Sequence, residues 1–214
     1  MAIQLDHLFG RVSGKLGKVI IYQRNGKLCF RSKPETSNLP PTEKQKYQRK
    51  AFAKISSFLA PIRHELEFGF SGIPGENSKR FGKALSLAVK GAILPIGGEP
   101  VLFPEKIWTS MGDLLAPTDI GLSWENNNTL LLTWRPNSFE GNGVDADRIF
   151  YLGYDPISRR KWSIKEGGFR KNGNLKIVFP WSGPLSGKFY HFVSFYRIQK
   201  KKNEFSNSVS MGIF

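Results

Sequence analysis

A chain of 214 residues with 40% apolar and 23% charged residues can bury a core, which excludes disorder along its whole length. Lys and Arg number 32 against 17 Asp and Glu, a formal net charge of +15 that bears on anionic partners and solubility and not on fold. The single cysteine, Cys29, excludes an intramolecular disulfide and any multi-cysteine metal site, and it suits a reducing compartment.

The first ten residues, Met1 to Gly10, carry no basic segment followed by an apolar run, so no signal peptide is expected. The apolar stretch Ala84 to Leu94 is interrupted by Ser86, Lys90 and Gly91 and is too short to span a bilayer. A cytoplasmic location is the expectation. Residues 17–33 read as a hairpin: Val19, Ile20, Ile21 and Tyr22 run into Asn25-Gly26, and Leu28-Cys29-Phe30 returns. Asn-Gly between such runs signals a type I′ turn, which needs positive φ at both central residues. Gly10, Gly14 and Gly17 suggest a strand with tight bends before it, and Pro34, Pro40 and Pro41 mark a loop after it.

Thr42 with Gln45 forms a Thr-x-x-Gln capping box that opens a helix. Phe52, Ile55, Leu59, Ile62 and Leu66 then recur at spacings of three and four, one apolar stripe. Pro61 within the stripe predicts a kink or break near 57–60. A second helix is expected from Asn77, as its N-cap, to about Leu94, closed by Pro95, Gly97, Gly98 and Pro100.

From Val101 the pattern changes to short strand-like runs: 106–110, 120–124, 129–134, 148–154, 161–164, 175–179, 188–198 and 205–213. Turn clusters separate them, a cadence that predicts a β-sandwich of immunoglobulin or fibronectin type III character. Trp124 and Trp134 are its natural core anchors, and the absence of a cysteine pair favours the fibronectin-like form. The sequence thus predicts two parts: a basic α+β region with a β-hairpin and two helices over 1–117, and an all-β sandwich over 118–214, joined at Ala116-Pro117-Thr118.

Several segments in order carry a resemblance. They are Gly17-Lys18-Val19, Asn25-Gly26-Lys27, Arg31-Ser32-Lys33-Pro34, Thr42-Glu43-Lys44-Gln45 with Arg49 and Phe52, Phe58-Leu59-Ala60-Pro61, Ser110-Met111-Gly112-Asp113-Leu114 and Ser206-Asn207-Ser208-Val209. Together they resemble a family of uncharacterised Bacteroidota proteins, a domain of unknown function with a basic N-terminal region and a C-terminal β-sandwich. The resemblance spans almost the whole chain and implies the two-part layout, but no activity and no site residue. The stretch from Arg31 to Phe52 also resembles a segment of some phage-associated proteins.

Catalytic and metal chemistry finds little support. Gly10-Arg11-Val12-Ser13-Gly14-Lys15-Leu16 has three residues between its glycines where a phosphate-binding loop needs four, and no Ser or Thr follows the lysine. His7, His64 and His191 stand singly, without partners at ligand spacing. Asp145 and Asp147 after Gly141-Asn142-Gly143 faintly suggest a calcium loop but lack its closing glutamate. Cys29 alternates with Leu28 and Phe30 in an apolar strand, which favours packing over nucleophilic chemistry. No Gly-x-Ser-x-Gly elbow exists. The expectation is a non-enzyme with no metal and no cofactor.

The basic residues remain. Arg11, Lys15, Lys18, Arg24, Lys27, Arg31, Lys33, Lys44, Lys46, Arg49, Lys50 and Lys54 face only Glu35 and Glu43 in the same stretch. Lys46, Arg49, Lys50 and Lys54, at spacings of three and four, are expected on the solvent side of the helix. The candidate polyanion-binding residues are Lys18, Arg24, Lys27, Arg31, Lys33, Lys46, Arg49, Lys50 and Lys54. Tyr22 and Phe30 are aromatics that could stack bases, although Phe30 reads better as core. A second basic cluster, Lys200-Lys201-Lys202 with Arg159-Arg160-Lys161, reads as hairpin solubility.

With no helix-turn-helix, zinc-finger or RNA-recognition signature, binding to nucleic acid or another polyanion would be led by phosphate contacts, without strong sequence specificity. The alternative is a structural or assembly protein of a phage-derived or other multi-subunit particle, with the sandwich making protein contacts. That alternative rests on fold analogy and the phage-like segment.

Overall fold

The computed structural model describes residues 13–24, 26–34, 40–199 and 203–214. The chain divides into two units, Met1–Pro41 and Thr42–Phe214. The break therefore falls at Pro41–Thr42 and not at 117–118.

In the first unit, β1 (Gly14–Leu16), β2 (Val19–Arg24) and β3 (Lys27–Ser32) form an antiparallel sheet in the order β1-β2-β3. Arg24 pairs with Lys27, which leaves a two-residue turn, and Gly26 takes the positive φ of 74° that such a turn demands. Asn25 lies outside the described residues.

The second unit opens with α1 (Glu43–Leu59), capped as expected. The Thr42 hydroxyl accepts from the Gln45 amide at 3.3 Å, and the Gln45 side chain accepts from the Thr42 amide at 3.0 Å. At Pro61 the helix tightens into a 3-10 turn over Ala60–Ile62 before α2 (Arg63–Gly69). Next, α3 (Asn77–Gly91) starts one residue earlier than expected, with Glu76 and not Asn77 at the N-cap. It also ends earlier, because 93–102 is a hairpin: β4 (Ile93–Ile96) pairs with β5 (Glu99–Leu102). Gly97 and Gly98, at φ 58° and 81°, supply the turn where a helix end had been read. The run expected as a strand at 106–110 is irregular chain after a 3-10 turn at Pro104–Lys106.

The sandwich is present. One sheet orders β10 (Asn174–Val178), β7 (Thr129–Thr133) and β6 (Gly121–Asn126). The other orders β9 (Arg160–Ile164), β8 (Arg148–Asp155) and β11 (Tyr190–Arg197), with β12 (Glu204–Phe205) and β13 (Val209–Ile213) both pairing with β11. Leu130 and Leu132 of β7 and Ile177 of β10 meet Ile149 and Tyr151 of β8 and Val193 and Phe195 of β11 in one core. Trp134 is buried in that core, and Trp124 packs at its margin.

The alternate residues of β8 and β11 explain the misplaced boundary. Phe150, Leu152 and Tyr154 of β8 and Phe192 and Tyr196 of β11 share a second core with Ile55, Leu59, Ile62, Leu66 and Phe70 of the helical segment and Ala84 and Ala88 of α3. The larger sheet is thus covered on both faces, by the smaller sheet on one and by helices on the other. The helices expected to belong with the N-terminal hairpin instead complete the sandwich. Each fully buried large side chain there stabilises the fold by about 1.5–3 kcal/mol, so helices and sheet share one stabilising core. No helix among the described residues is long and apolar enough to cross a membrane.

His191, on β11, is buried between the sheets, its Nδ1 2.7 Å from the Tyr151 hydroxyl. Its cross-strand partner is Gly153, where a Cβ would sit 2.7 Å from that same hydroxyl. Burial pushes the imidazole down to about 4. Because the folded value lies below the ordinary 6.5, the contribution to stability is full above pH 6.5 and is lost as pH falls toward 4. The loss amounts to about 3 kcal/mol. Urea midpoints measured from pH 7.5 to 4 should therefore fall more steeply in the native chain than in His191→Asn. Parallel curves would exclude a buried neutral histidine.

Candidate functional site

Strand register decides which cations of the first unit stand together. Cross-strand partners share a face, and successive residues alternate between faces. The pairs Arg24–Lys27, Tyr22–Cys29 and Ile20–Arg31, with Lys15 opposite Ile20, therefore lie on one face. Leu16, Val19, Ile21, Leu28 and Phe30 lie on the other, with Gln23 and Ser32. The small sheet is amphipathic: basic on one side, apolar on the opposite. Lys33 donates its backbone N–H to the Lys18 carbonyl at 2.7 Å, so these two lysines continue the ladder beyond the β1–β2 turn.

Lys15, Lys18, Arg24, Lys27, Arg31 and Lys33 are all exposed, and none has an acidic partner among the described residues. The Arg31 guanidinium lies 5.9 Å from the centre of the Tyr22 ring, within cation–π range. Tyr22 thus sits among the cations, whereas Phe30 points to the apolar face. Phe30 is 60% exposed, so the expectation that it is a core residue is corrected. A three-stranded sheet by itself has no second layer to bury it.

The helix cations fare differently. Lys46 pairs with Glu43 at 2.7 Å, Lys50 pairs with Glu99 at 2.6 Å, and Lys54 donates to the Pro100 carbonyl at 2.7 Å. Lys50 and Lys54 therefore fasten α1 to the β4–β5 hairpin, and the Lys50 ammonium holds the Glu99 carboxyl below its usual value. Only Arg49 of the four is without a partner among the described residues. The hairpin at 93–102, read from sequence as a helix end, supplies the counter-charges that were not foreseen. Such exposed pairs contribute little to stability, but they reduce the charge available to an external anion.

Other chemistry is placed plainly. Cys29 lies on the basic face, half-buried, its Sγ 3.7 Å from the Lys27 carbonyl. Asp147 is fully buried between Arg170, at 3.1 Å, and Arg197, at 2.7 Å, so it serves an ion-pair network and not a calcium loop. Arg170 also donates to the Leu115 carbonyl at 2.9 Å and lies 3.9 Å from the Phe195 ring centre. His64 is exposed, 3.7 Å from Glu67. No group of three or more metal-ligating side chains occurs among the described residues. His7, Arg11 and Lys200-Lys201-Lys202 lie outside them.

Two of the quoted sequence segments meet in space, which spacing could not show. The Ser110 hydroxyl donates to the Ser206 carbonyl and the Thr109 amide to the Ser208 hydroxyl, both at 2.8 Å. Leu114 forms a parallel bridge with Ser206. The segment 109–114 is thereby stitched to 205–208 at the edge of the larger sheet. Gly112 permits the approach: a Cβ there would sit 2.1 Å from the Phe205 carbonyl oxygen. Gly69 does the same against the Thr109 carbonyl oxygen, also at 2.1 Å. These segments are structural seams.

A model of a family of unknown function, DUF6266, matches residues 11–211. The chain belongs to that family. No curated protein matches. Among solved structures the chain is similar to the fibronectin type III domain of the human collagen alpha-1(XX) chain. That likeness has 13% identity and a TM-score of 0.31, over 46% of this chain and 81% of that one. The sandwich assignment above rests on strand order and the shared core of this member of DUF6266.

The seams can be tested against a helical glycine with room around it. Gly112→Ala and Gly69→Ala should each destabilise by about 2–3 kcal/mol, because backbone oxygens must move. Gly82→Ala in α3, where a Cβ meets nothing within 4 Å, should stabilise by about 0.5–1 kcal/mol. Chemical denaturation of the three variants reads both signs.

Proposed function

We propose that this member of DUF6266 is a non-enzymatic binding protein whose N-terminal sheet engages nucleic acid or another polyanion without strong sequence specificity. One observation carries the reading: strand register gathers Lys15, Arg24, Lys27 and Arg31 on one face, with no carboxylate among the described residues to neutralise them. Concentrated, unpaired cations attract phosphates through counterion release, whatever the base sequence. Lys18 and Lys33 belong to the same binding set, and Arg49, on α1 of the second unit, is a further exposed cation of its own unit. Lys46, Lys50 and Lys54 contribute less, since each is already engaged within its own unit. A cytoplasmic setting suits both the polyanion and the lone thiol of Cys29.

The opposite face supports a second reading, a structural or assembly role in a phage-derived or other multi-subunit particle. Leu16 is 71% exposed and Phe30 60%, with Val19 beside them. Exposed apolar side chains grouped on one small sheet mark a protein contact, and the sandwich would add a further contact surface.

Salt-dependent titration of mixed-sequence DNA and RNA tests the first reading. Binding should weaken steeply with salt, and the triple variant Arg24→Gln, Lys27→Gln, Arg31→Gln should lower the slope of log K against log salt by about two to three. Gln in place of both Lys46 and Lys50 should change it far less. Absence of binding at low ionic strength, or binding indifferent to salt, removes the reading. Light scattering decides the second: a strict monomer at high concentration, unchanged by Phe30→Ser, removes assembly through that face.

A further inference from the structure

Resting on the polyanion reading above, we infer that the basic face of the N-terminal sheet is built for single-stranded nucleic acid, with Tyr22 as the platform for an unstacked base. The face is not uniformly charged. Along its ladder, the Arg24–Lys27 row comes first, the Tyr22–Cys29 row next, and the Ile20–Arg31 row with Lys15 after it. The Lys18–Lys33 backbone contact lies beyond.

Rows on one face are two residues apart, about 7 Å, so the first and third cation rows stand about 13 Å apart with the ring between them. Cations at both ends suit the phosphates of an extended strand. The middle row, Tyr22 with Cys29, carries no cation, suits no phosphate and suits a base. Arg31, 5.9 Å from the Tyr22 ring centre, presents a second planar group beside it.

A duplex cannot use this middle row. Its bases are stacked on one another and show only their edges in the grooves, so an aromatic face gains nothing from them. A single strand exposes base faces, and stacking on an aromatic side chain tolerates any sequence because every base has such a face. Charge alone predicts binding to any polyanion; charge interrupted by an exposed ring predicts preference for the unpaired strand. Tyr22 and Phe30 are the two aromatics of the sheet, and register sends only Tyr22 to the basic side.

Fluorescence anisotropy at low salt tests this with a labelled mixed-sequence 12-mer, as deoxyribo- and as ribo-strand, beside the same sequence as a duplex and heparin as a base-free polyanion. A single strand of either kind should bind at least about tenfold tighter than the duplex. Tyr22→Ala should weaken single-strand binding about 5- to 100-fold, leave duplex and heparin binding unchanged, and keep the salt slope. Tyr22→Phe should restore it, and Phe30→Ala, on the opposite face, should have no effect. Equal affinity for single strand and duplex, or a neutral Tyr22→Ala, overturns the single-strand assignment and leaves the polyanion reading standing. If Phe30→Ala weakens binding as much as Tyr22→Ala, the assignment of Tyr22 is overturned. No binding to any of the four probes overturns both readings.

Discussion

Strands β8 and β11 pair along seven residues with both faces buried, and the second unit is organised around that pair. Alternation along each strand delivers one set of side chains to the smaller sheet and the other to the helices. Tyr151, Val193 and Phe195 go one way; Phe150, Leu152, Phe192 and Tyr196 go the other. Because one ladder serves two cores, neither layer is an independent domain. Helices, hairpin and sandwich from Thr42 onward form one unit for this reason.

The constraint also explains the seams around that pair. Segment 109–114 runs between the helices and the sandwich; hydrogen bonds hold it to 205–208, where Gly112 must lack a side chain against Phe205, and Gly69 of α2 must lack one against Thr109. Nearby, Arg170 and Arg197 share the buried Asp147, with Asn137 and the Leu115 carbonyl accepting from the other two guanidinium nitrogens of Arg170. Removing one partner of a buried ion pair leaves an uncompensated charge, and here each guanidinium nitrogen of Arg170 has an acceptor.

The first unit follows a different logic. Its sheet has no second layer of its own, and its two faces are chemically opposite. The cations on its basic face have no carboxylate partner among the described residues. On α1 the same residue types turn inward to Glu99 and Pro100 and act as fasteners. Charge concentration in a sequence therefore overstates a binding surface wherever a neighbouring element supplies the counter-charge.

By itself, the sequence determined the elements with local causes. The Asn-Gly hairpin, the Thr42–Gln45 capping box, the break at Pro61 and the sandwich strands each follow from neighbours within a few residues. Its alternation also implied the face on which Arg31 stands. Tertiary structure alone decided the boundary at Pro41, because burial of β8 and β11 on both faces depends on helices far away in the chain. It likewise decided the exposure of Phe30, the pairing of Lys50 with Glu99, and the meeting of Gly112 with Phe205. The near-continuous apolar run Ile149 to Tyr154 did carry a hint, since a strand wet on one face alternates and this one does not. Recognising which layer would cover it needed the fold.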